Sequence, residues 1–476
     1  MSQLKVSNDS WSSQTVFILA AVGSAVGLGN LWKFPYITGE NGGGAFVLVY
    51  LACILVIGLP ILMSEVALGR AGKANPIQAM SNLAKENGAS KLWRLLGFNG
   101  VLAGALILSF YTVIAGWAVA YFMQSVRGDF SGITAEAAGV NFDELLANPL
   151  ELLFWHTLVT LVTIVIVSKG VKGGIEKAIN FMLPGLLIIL LVLLGYAMTT
   201  GSFGDSVRFL FSPDFSKLTW ESVLVAMGHA FFTLSIGLGT MMVYGSYLSK
   251  EFSIVKASFW IVIADTAVAL LAGLVIFSIV FANGLEPGSG PGLLFQTLPV
   301  AFGHMWGGWF FGSLFFALVV MAALSSAISL IEPAVSWVNQ QWGVERTQAA
   351  WLLGGIIWLI GVGTVLSFNE WKGLHFLGER TLFDSLDFIT TNIMLPLGGL
   401  LMAVFIAWVM KPSTRADNLE LSEGWMNLFV LNLRWGAPIA VMVVFASNLV
   451  SADRVGFMIA AILGIYAVYI WQVRRG

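Results

Sequence analysis

Stretches of about twenty mostly apolar residues recur along the whole chain, and that recurrence limits what it can fold into. A helix rises 1.5 Å per residue, so roughly 20 such residues cross the hydrocarbon of a bilayer. Here they fall at 13–35, 43–69, 94–125, 151–168, 176–198, 222–248, 254–283, 308–338, 347–367, 383–409, 426–448 and 455–473. The sequence predicts an all-α integral membrane protein with about twelve transmembrane helices. Composition agrees: 58% of the 476 residues are hydrophobic and 11% are charged, where a soluble domain carries roughly 25% charged residues. Too few polar groups exist to cover a water-facing surface, which excludes a soluble enzyme, a disordered chain and a secreted disulfide scaffold. The one cysteine, Cys53, rules out an intrachain disulfide and argues against a cysteine metal site. A net charge of -2 gives no pointer to nucleic acid, and the polar start, MSQLKVSNDSW, does not read as a cleavable signal peptide.

Basic residues set the orientation. With the N-terminus inside, inner segments and nearby span ends hold sixteen Lys and Arg, among them Arg70, Lys73, Lys169, Lys172, Lys250 and Arg346. Outer segments hold seven, and Arg434 stays unassigned inside a span. The positive-inside rule then places both termini in the cytoplasm of a cell bounded by this membrane. The longest loops have about 25 residues, too few for a core of their own.

Two spans carry interruptions. Gly23-Ser24-Ala25-Val26-Gly27-Leu28-Gly29-Asn30 sits in the first, and Thr233-Leu234-Ser235-Ile236-Gly237-Leu238-Gly239-Thr240 in the sixth. Each glycine weakens a helix by about 1 kcal/mol relative to Ala. The two runs are five spans apart and both near mid-span, as a 5+5 inverted repeat requires. Interrupted segments in matching positions of two halves point to a transporter site. A break in hydrocarbon frees N–H and C=O groups, tolerated only where they face protein, water or ligand. Small residues four apart, such as Gly23 and Gly27, also serve close helix packing. Two matching runs beside hydroxyl and amide side chains favour a site.

At these residues the chain resembles the neurotransmitter:sodium symporter family, in particular its bacterial amino-acid members. The matching pieces are GSAVGLGNLWKFPY at 23–36, ENGGGAF at 40–46, EVALGR at 65–70, FFTLSIGLG at 231–239, ALSSAISLIEP at 323–333 and DSLDF at 384–388. The resemblance implies an amino-acid transporter, not an enzyme, driven by the sodium gradient. Spans 1–5 (1–200) and 6–10 (201–410) would form the two inverted halves, with the discontinuous first and sixth helices facing each other. Spans 11 and 12 (411–476) would be peripheral. Beyond a small amino acid and the bilayer, no nucleic acid or obligate protein partner is expected.

By position, the family's first Na+ site would use the Ala25 carbonyl, the Asn30 side chain, Thr233 and Asp265. Its second would use the carbonyls of Gly23, Val26 and Ala322 with the hydroxyls of Ser325 and Ser326. Substrate would lie against Ala25, Leu28, Gly29, Ile107, Tyr111, Phe232, Thr233, Ser235, Leu238, Ser326 and Leu330. The chemistry suits these roles, since sodium wants hard oxygen ligands. Ser325 and Ser326 have an alternative, bonding back to carbonyls a turn earlier. Tyr111 can reach a substrate carboxylate or, alternatively, a backbone carbonyl. In the monoamine branch an Asp occupies the position of Gly27 and pairs with the amine. With no side chain here, the substrate must bring its own carboxylate. Ile107, Phe232, Leu238 and Leu330 are apolar, so neutral hydrophobic or aromatic amino acids are expected.

An intramembrane carboxylate is a functional hypothesis by default. Many relatives have Asn where this chain has Asp265, and take negative charge from chloride or from a Glu one turn later; that later position is Ala269. Asp265 would supply the charge itself, making transport chloride-independent. His229, one turn before Thr233, is expected either to pair with Asp265 or to stay neutral. The outer gate would be Lys33 and Asp387, with Lys for the usual Arg, and so looser. The inner gate positions read Asn8 and Gln340, an amide latch beside Trp11 and Tyr247. Gly174 to Pro184 would unwind to open an inner water path, or merely kink the start of the fifth span.

A membrane hydrolase would have to use Ser325, Ser326, His229 and Asp265, but there is no Gly-x-Ser-x-Gly elbow. GSGPG at 288–292 lacks the Lys of a phosphate loop. A channel would need a continuous polar path. The remaining alternative is a non-transporting amino-acid sensor.

Overall fold

The computed structural model describes residues 10–287 and 292–449. Asn8, the expected twelfth span and most of GSGPG lie outside them. Among the described residues nine continuous helices are long and apolar enough to cross a membrane. They are Gly44–Gly72, Lys91–Arg127, Pro149–Ser168, Val171–Met198, Ile254–Ala282, Gly308–Trp342, Arg346–Leu366, Leu382–Val409 and Glu423–Ala446. These are the expected spans 2–5 and 7–11. The first span is a bent pair, Gln14–Ala25 and Gly29–Glu40, at 50° to each other. The sixth is split into Trp220–Thr233 and Thr240–Ser246.

The spans differ in how much they bury. The apolar window of Lys91–Arg127 is 83% buried, that of Val171–Met198 only 33%. Third and eighth spans form the central pair of the bundle, while the fifth turns Phe181 and Ile188 outward. Lipid is as apolar as a protein core, so hydropathy alone cannot separate the two cases. Small residues set the closest approaches. A Cβ on Gly69 would strike the Met242 carbonyl, and one on Gly245 would strike the Val66 carbonyl. The second span thus clamps the inner half of the sixth backbone to backbone.

Between spans, helix starts are capped as the sequence allows. Asn75 accepts from the Gln78 N–H at 3.1 Å ahead of Pro76, and Thr219 with Ser222 forms a reciprocal box before Trp220.

Of the two alternatives left for the start of the fifth span, the structure shows the helical one. The stretch from Gly174 to Pro184 is not unwound: a wide turn at Val171–Ile175 continues into Glu176–Met198, with Pro184 inside that helix. Gly170, at φ +85°, makes the sharp entry. Gly174 serves close packing, since a Cβ there would strike the Ile166 carbonyl of the fourth span.

Candidate functional site

Both breaks leave backbone groups that side chains then satisfy. In the first span, helix ends at Ala25, Val26 turns extended, and helix resumes at Gly29. The freed Gly27 N–H donates to Asn30 Oδ1 at 3.1 Å, and the Leu28 N–H to the Tyr111 hydroxyl at 3.3 Å. In the sixth span the chain passes through Ser235 at φ +52°, Gly237 at +88° and Gly239 at +73°. A non-glycine residue in that region is held there by its surroundings. Ser235 Oγ donates to the Ser24 carbonyl at 2.9 Å, which ties one break to the other.

Glu65, from EVALGR, braces the second break. Its fully buried carboxylate accepts from the Gly237 N–H at 2.9 Å and faces the N–H groups of Gly239, Met241 and Met242. An acid at the start of a half-helix meets its unpaired N–H groups and the positive end of its dipole.

Asn30, Thr233 and Asp265 come together. Asn30 Nδ2 lies 2.8 Å from Asp265 Oδ1, and Thr233 Oγ1 lies 3.1 Å from each carboxylate oxygen. The Tyr50 hydroxyl faces the same pair. Asp265 is fully buried, and no Lys, Arg or His among the described residues reaches it. A buried carboxylate without a basic partner is costly unless a cation joins it or a proton neutralises it.

A second oxygen cluster lies below the first break. Ser326 Oγ points at the carbonyls of Ser24 (3.3 Å) and Val26 (3.5 Å). Ser325 Oγ bonds back to the Ala322 carbonyl at 2.9 Å, as a helical serine can. Its Cβ faces Gly23, where an added Cβ would be 3.5 Å away. Among the described residues no three His, Cys, Asp or Glu side chains cluster as metal ligands. The donors available to a cation are carbonyls, hydroxyls, an amide and one carboxylate, a set that fits a hard monovalent ion.

Between the breaks lies a small cavity of about 30 Å³. It is lined by Ala25, Leu28, Gly29, Ile107, Tyr111, Phe232, Ser235, Leu238, Ser326 and Leu330, with Ser24, Gly27 and Leu395. Thr233 does not line it and turns to Asp265 instead. An added Cβ on Gly27 would strike Ser326 Oγ and lie 2.9 Å from the Tyr111 hydroxyl. Beside it a larger cavity of about 450 Å³ takes in Lys33, Glu40, Glu221 and His229.

His229 does not meet Asp265. Its ring stacks on Phe34 (6.0 Å) and lies tilted against Tyr50 (5.3 Å), and neither ring nitrogen has a hydrogen-bond partner. Spacing of one turn puts His229 and Thr233 on one helix side, but the two aromatic rings hold the imidazole apart from the carboxylate.

Comparison with known proteins decides the assignment. The sequence model of the sodium:neurotransmitter symporter family matches residues 8–138 and 140–461. The chain belongs to this family. It is a sodium-dependent symporter and a multi-pass membrane protein. It is 36% identical to the uncharacterized sodium-dependent transporter YhdH of Bacillus subtilis, over 91% of this chain and 96% of that one. An uncharacterized sodium-dependent transporter of Haemophilus influenzae is 34% identical, over 92% and 98%. Among solved structures, MhsT in complex with L-phenylalanine has 43% identity and a TM-score of 0.85, covering 93% of this chain and 100% of MhsT.

In this symporter the residues expected at the gates are placed as follows. On the outer side Lys33 lies within electrostatic reach of Asp387, but no direct ion pair forms. Its Nζ sits 4.5 Å over the Phe232 ring, and Asp387 accepts from Thr391 Oγ1 at 3.0 Å. On the inner side Trp11 is buried, and its indole N–H donates to the Tyr244 carbonyl at 2.9 Å. Its backbone N–H donates to the Tyr247 carbonyl at 3.2 Å. Gln340 accepts from Asn75 N–H and Nδ2 at 2.8 and 2.9 Å and donates to Ser336.

A charged pair lies near Tyr247 as well. Glu332, in the eighth span, is buried and ion-paired with Arg346 of the ninth, and it accepts from the Tyr247 hydroxyl at 2.8 Å. Glu332 and Glu65 were visible as acids within apolar spans; Leu395, one leucine among many, carried no signal.

Proposed function

We propose that this symporter carries neutral hydrophobic or aromatic L-amino acids into the cell with sodium, by alternating access and without chloride. The observation that carries this reading is the bare backbone at Gly27. The Leu28 N–H and Tyr111 hydroxyl meet beside it, and the rest of the cavity is largely apolar. An N–H at the start of a half-helix and a phenol suit a carboxylate. Carbonyls at the end of Trp220–Thr233 suit the ammonium. Leu28, Gly29 and Tyr111 would hold the carboxylate, and Ile107, Phe232, Leu238 and Leu330 the side chain. MhsT, bound to L-phenylalanine in its solved structure, supports the aromatic end of the range.

Two sodium ions would travel with the substrate. The first would lie among Ala25, Asn30, Thr233 and Asp265, the second among Gly23, Val26, Ala322, Ser325 and Ser326. Each positive charge moved inward gains about 2.3 kcal/mol per 100 mV of membrane potential, before any concentration term. Asp265 supplies the negative charge that chloride would otherwise bring. Lys33, Phe232 and Asp387 close the outer side; Trp11, Tyr247, Gln340 and the Glu332–Arg346 pair close the inner. Residues 1–200 and 201–410 would be the halves that rock, with both termini in the cytoplasm.

The test is uptake by purified protein in liposomes, screened over twenty amino acids in sodium or choline, each with chloride or gluconate. Accumulation of leucine, phenylalanine or tryptophan that needs sodium and ignores chloride is expected. Uptake equal in choline, or tighter binding of tyramine than of tyrosine, would reject the reading.

A further inference from the structure

The tenth span reaches the central cavity through a single side chain, Leu395. Of the residues that line this cavity, Phe232 and Leu395 also line the larger one. Those two residues are shared by both cavities. They are held differently. Phe232 is pinned by loose contacts, the Lys33 ammonium over its face and Gly29 against its edge. Leu395 stands on fixed backbone. An added Cβ on Gly237 would come within 2.6 Å of the Leu395 carbonyl oxygen, and one on Gly398 within 2.8 Å of the Gly237 carbonyl. The tenth span and the sixth-span break therefore touch main chain to main chain. A wide turn over Phe388–Met394 and Pro396 at the start of the next segment set this approach. Asn99 Nδ2 takes up the Met394 carbonyl at 2.9 Å. Leu395 itself is 1% exposed.

We infer that Leu395 is a specificity-determining residue, a fixed wall whose volume limits the substrate side chain. The inference rests on the proposed amino-acid reading of the same cavity. Leu395 opposes Gly237, next to Leu238, one of the apolar residues of the cavity. A rigid wall discriminates by size because neither backbone can retreat without separating the other. One methylene more or less in an apolar pocket changes selectivity by about 10–200-fold.

The experiment is competition binding on purified protein in sodium, with leucine, phenylalanine and tryptophan displacing a labelled substrate. Wild type, Leu395→Ala, Leu395→Val and Leu395→Phe are compared as ratios of affinities. Leu395→Ala and Leu395→Val should raise the tryptophan-to-leucine preference, the former by at least about tenfold, and Leu395→Phe should lower it. A purely structural role would weaken all three ligands by one common factor, and that result overturns the inference. Should Leu395→Ala not yield folded protein, the Val and Phe variants, shifting the ratio in opposite directions, decide it. If wild type binds none of the three in sodium, the amino-acid reading itself has failed. Wild-type binding with unchanged ratios in the variants sinks this inference alone.

Discussion

The Asn30 side-chain amide lies 2.8 Å from the carboxylate of Asp265, joining the first break to the seventh span. With Thr233 it gives Asp265 only neutral partners. A fully buried carboxylate so placed is costly unless a cation joins it or a proton neutralises it. Asp265→Asn removes the charge and keeps the shape. Sodium affinity should fall at least about tenfold, equivalent to 1.4 kcal/mol, and high chloride should restore part of it. Sodium titration of substrate binding in chloride and in gluconate reads both effects. Intact sodium affinity with no chloride effect would show that the charge has no such role.

The breaks and nearly all spans could be read from the sequence, because both rest on local chemistry: long apolar runs, and glycines where helix fails. The partners of the broken backbone could not. Glu65 reaches Gly237 across 172 positions, and nothing in EVALGR says which amides it will face. Spacing left His229 open between pairing with Asp265 and staying neutral, and aromatic packing holds its ring apart from the carboxylate. It left Gly174 open as well, and a fourth-span carbonyl explains that glycine. Leu395 was unreadable because a cavity-lining leucine and a lipid-facing leucine look alike in an apolar helix.

Gly27 defines the polar end of the cavity by lacking a side chain. Gly27→Ala places a methyl against Ser326 Oγ and Tyr111. Overpacking of this kind costs about 1–3 kcal/mol, so substrate affinity should drop by about tenfold or more with the fold intact. Equilibrium binding together with thermal unfolding separates the two. Undiminished affinity would mean the substrate's charged groups sit elsewhere.

Glu65 acts on the sixth-span break from outside the cavity. Glu65→Ala leaves the buried Gly237 N–H without its acceptor, a loss of about 1–3 kcal/mol. Thermal unfolding should shift down and substrate binding weaken, while Glu65→Gln, which keeps an acceptor oxygen, should lie between the two proteins. Equal behaviour of Glu65→Ala and wild type would remove the bracing role.

Tyr247 completes the buried pair of Glu332 and Arg346, which on the proposed reading closes the inner side. Arg346→Met would leave Glu332 buried with the tyrosine hydroxyl as a hydrogen-bond donor and without its counter-charge. Removing one member of a buried pair costs about 3–5 kcal/mol. Opening the inner side hydrates the stranded carboxylate, so the population should shift toward the inward-open form. Ser329, 1% exposed and one turn on the cytoplasmic side of Ser326, reports on this. With the one native cysteine removed as Cys53→Ala, a Ser329→Cys thiol should react with a membrane-impermeant maleimide from the cytoplasmic face many-fold faster in Arg346→Met. Sodium, which on the proposed reading favours the closed inner side, should slow the reaction. Equal labelling rates with and without the arginine would mean that Trp11 and the Asn75–Gln340 contact close the inner side by themselves.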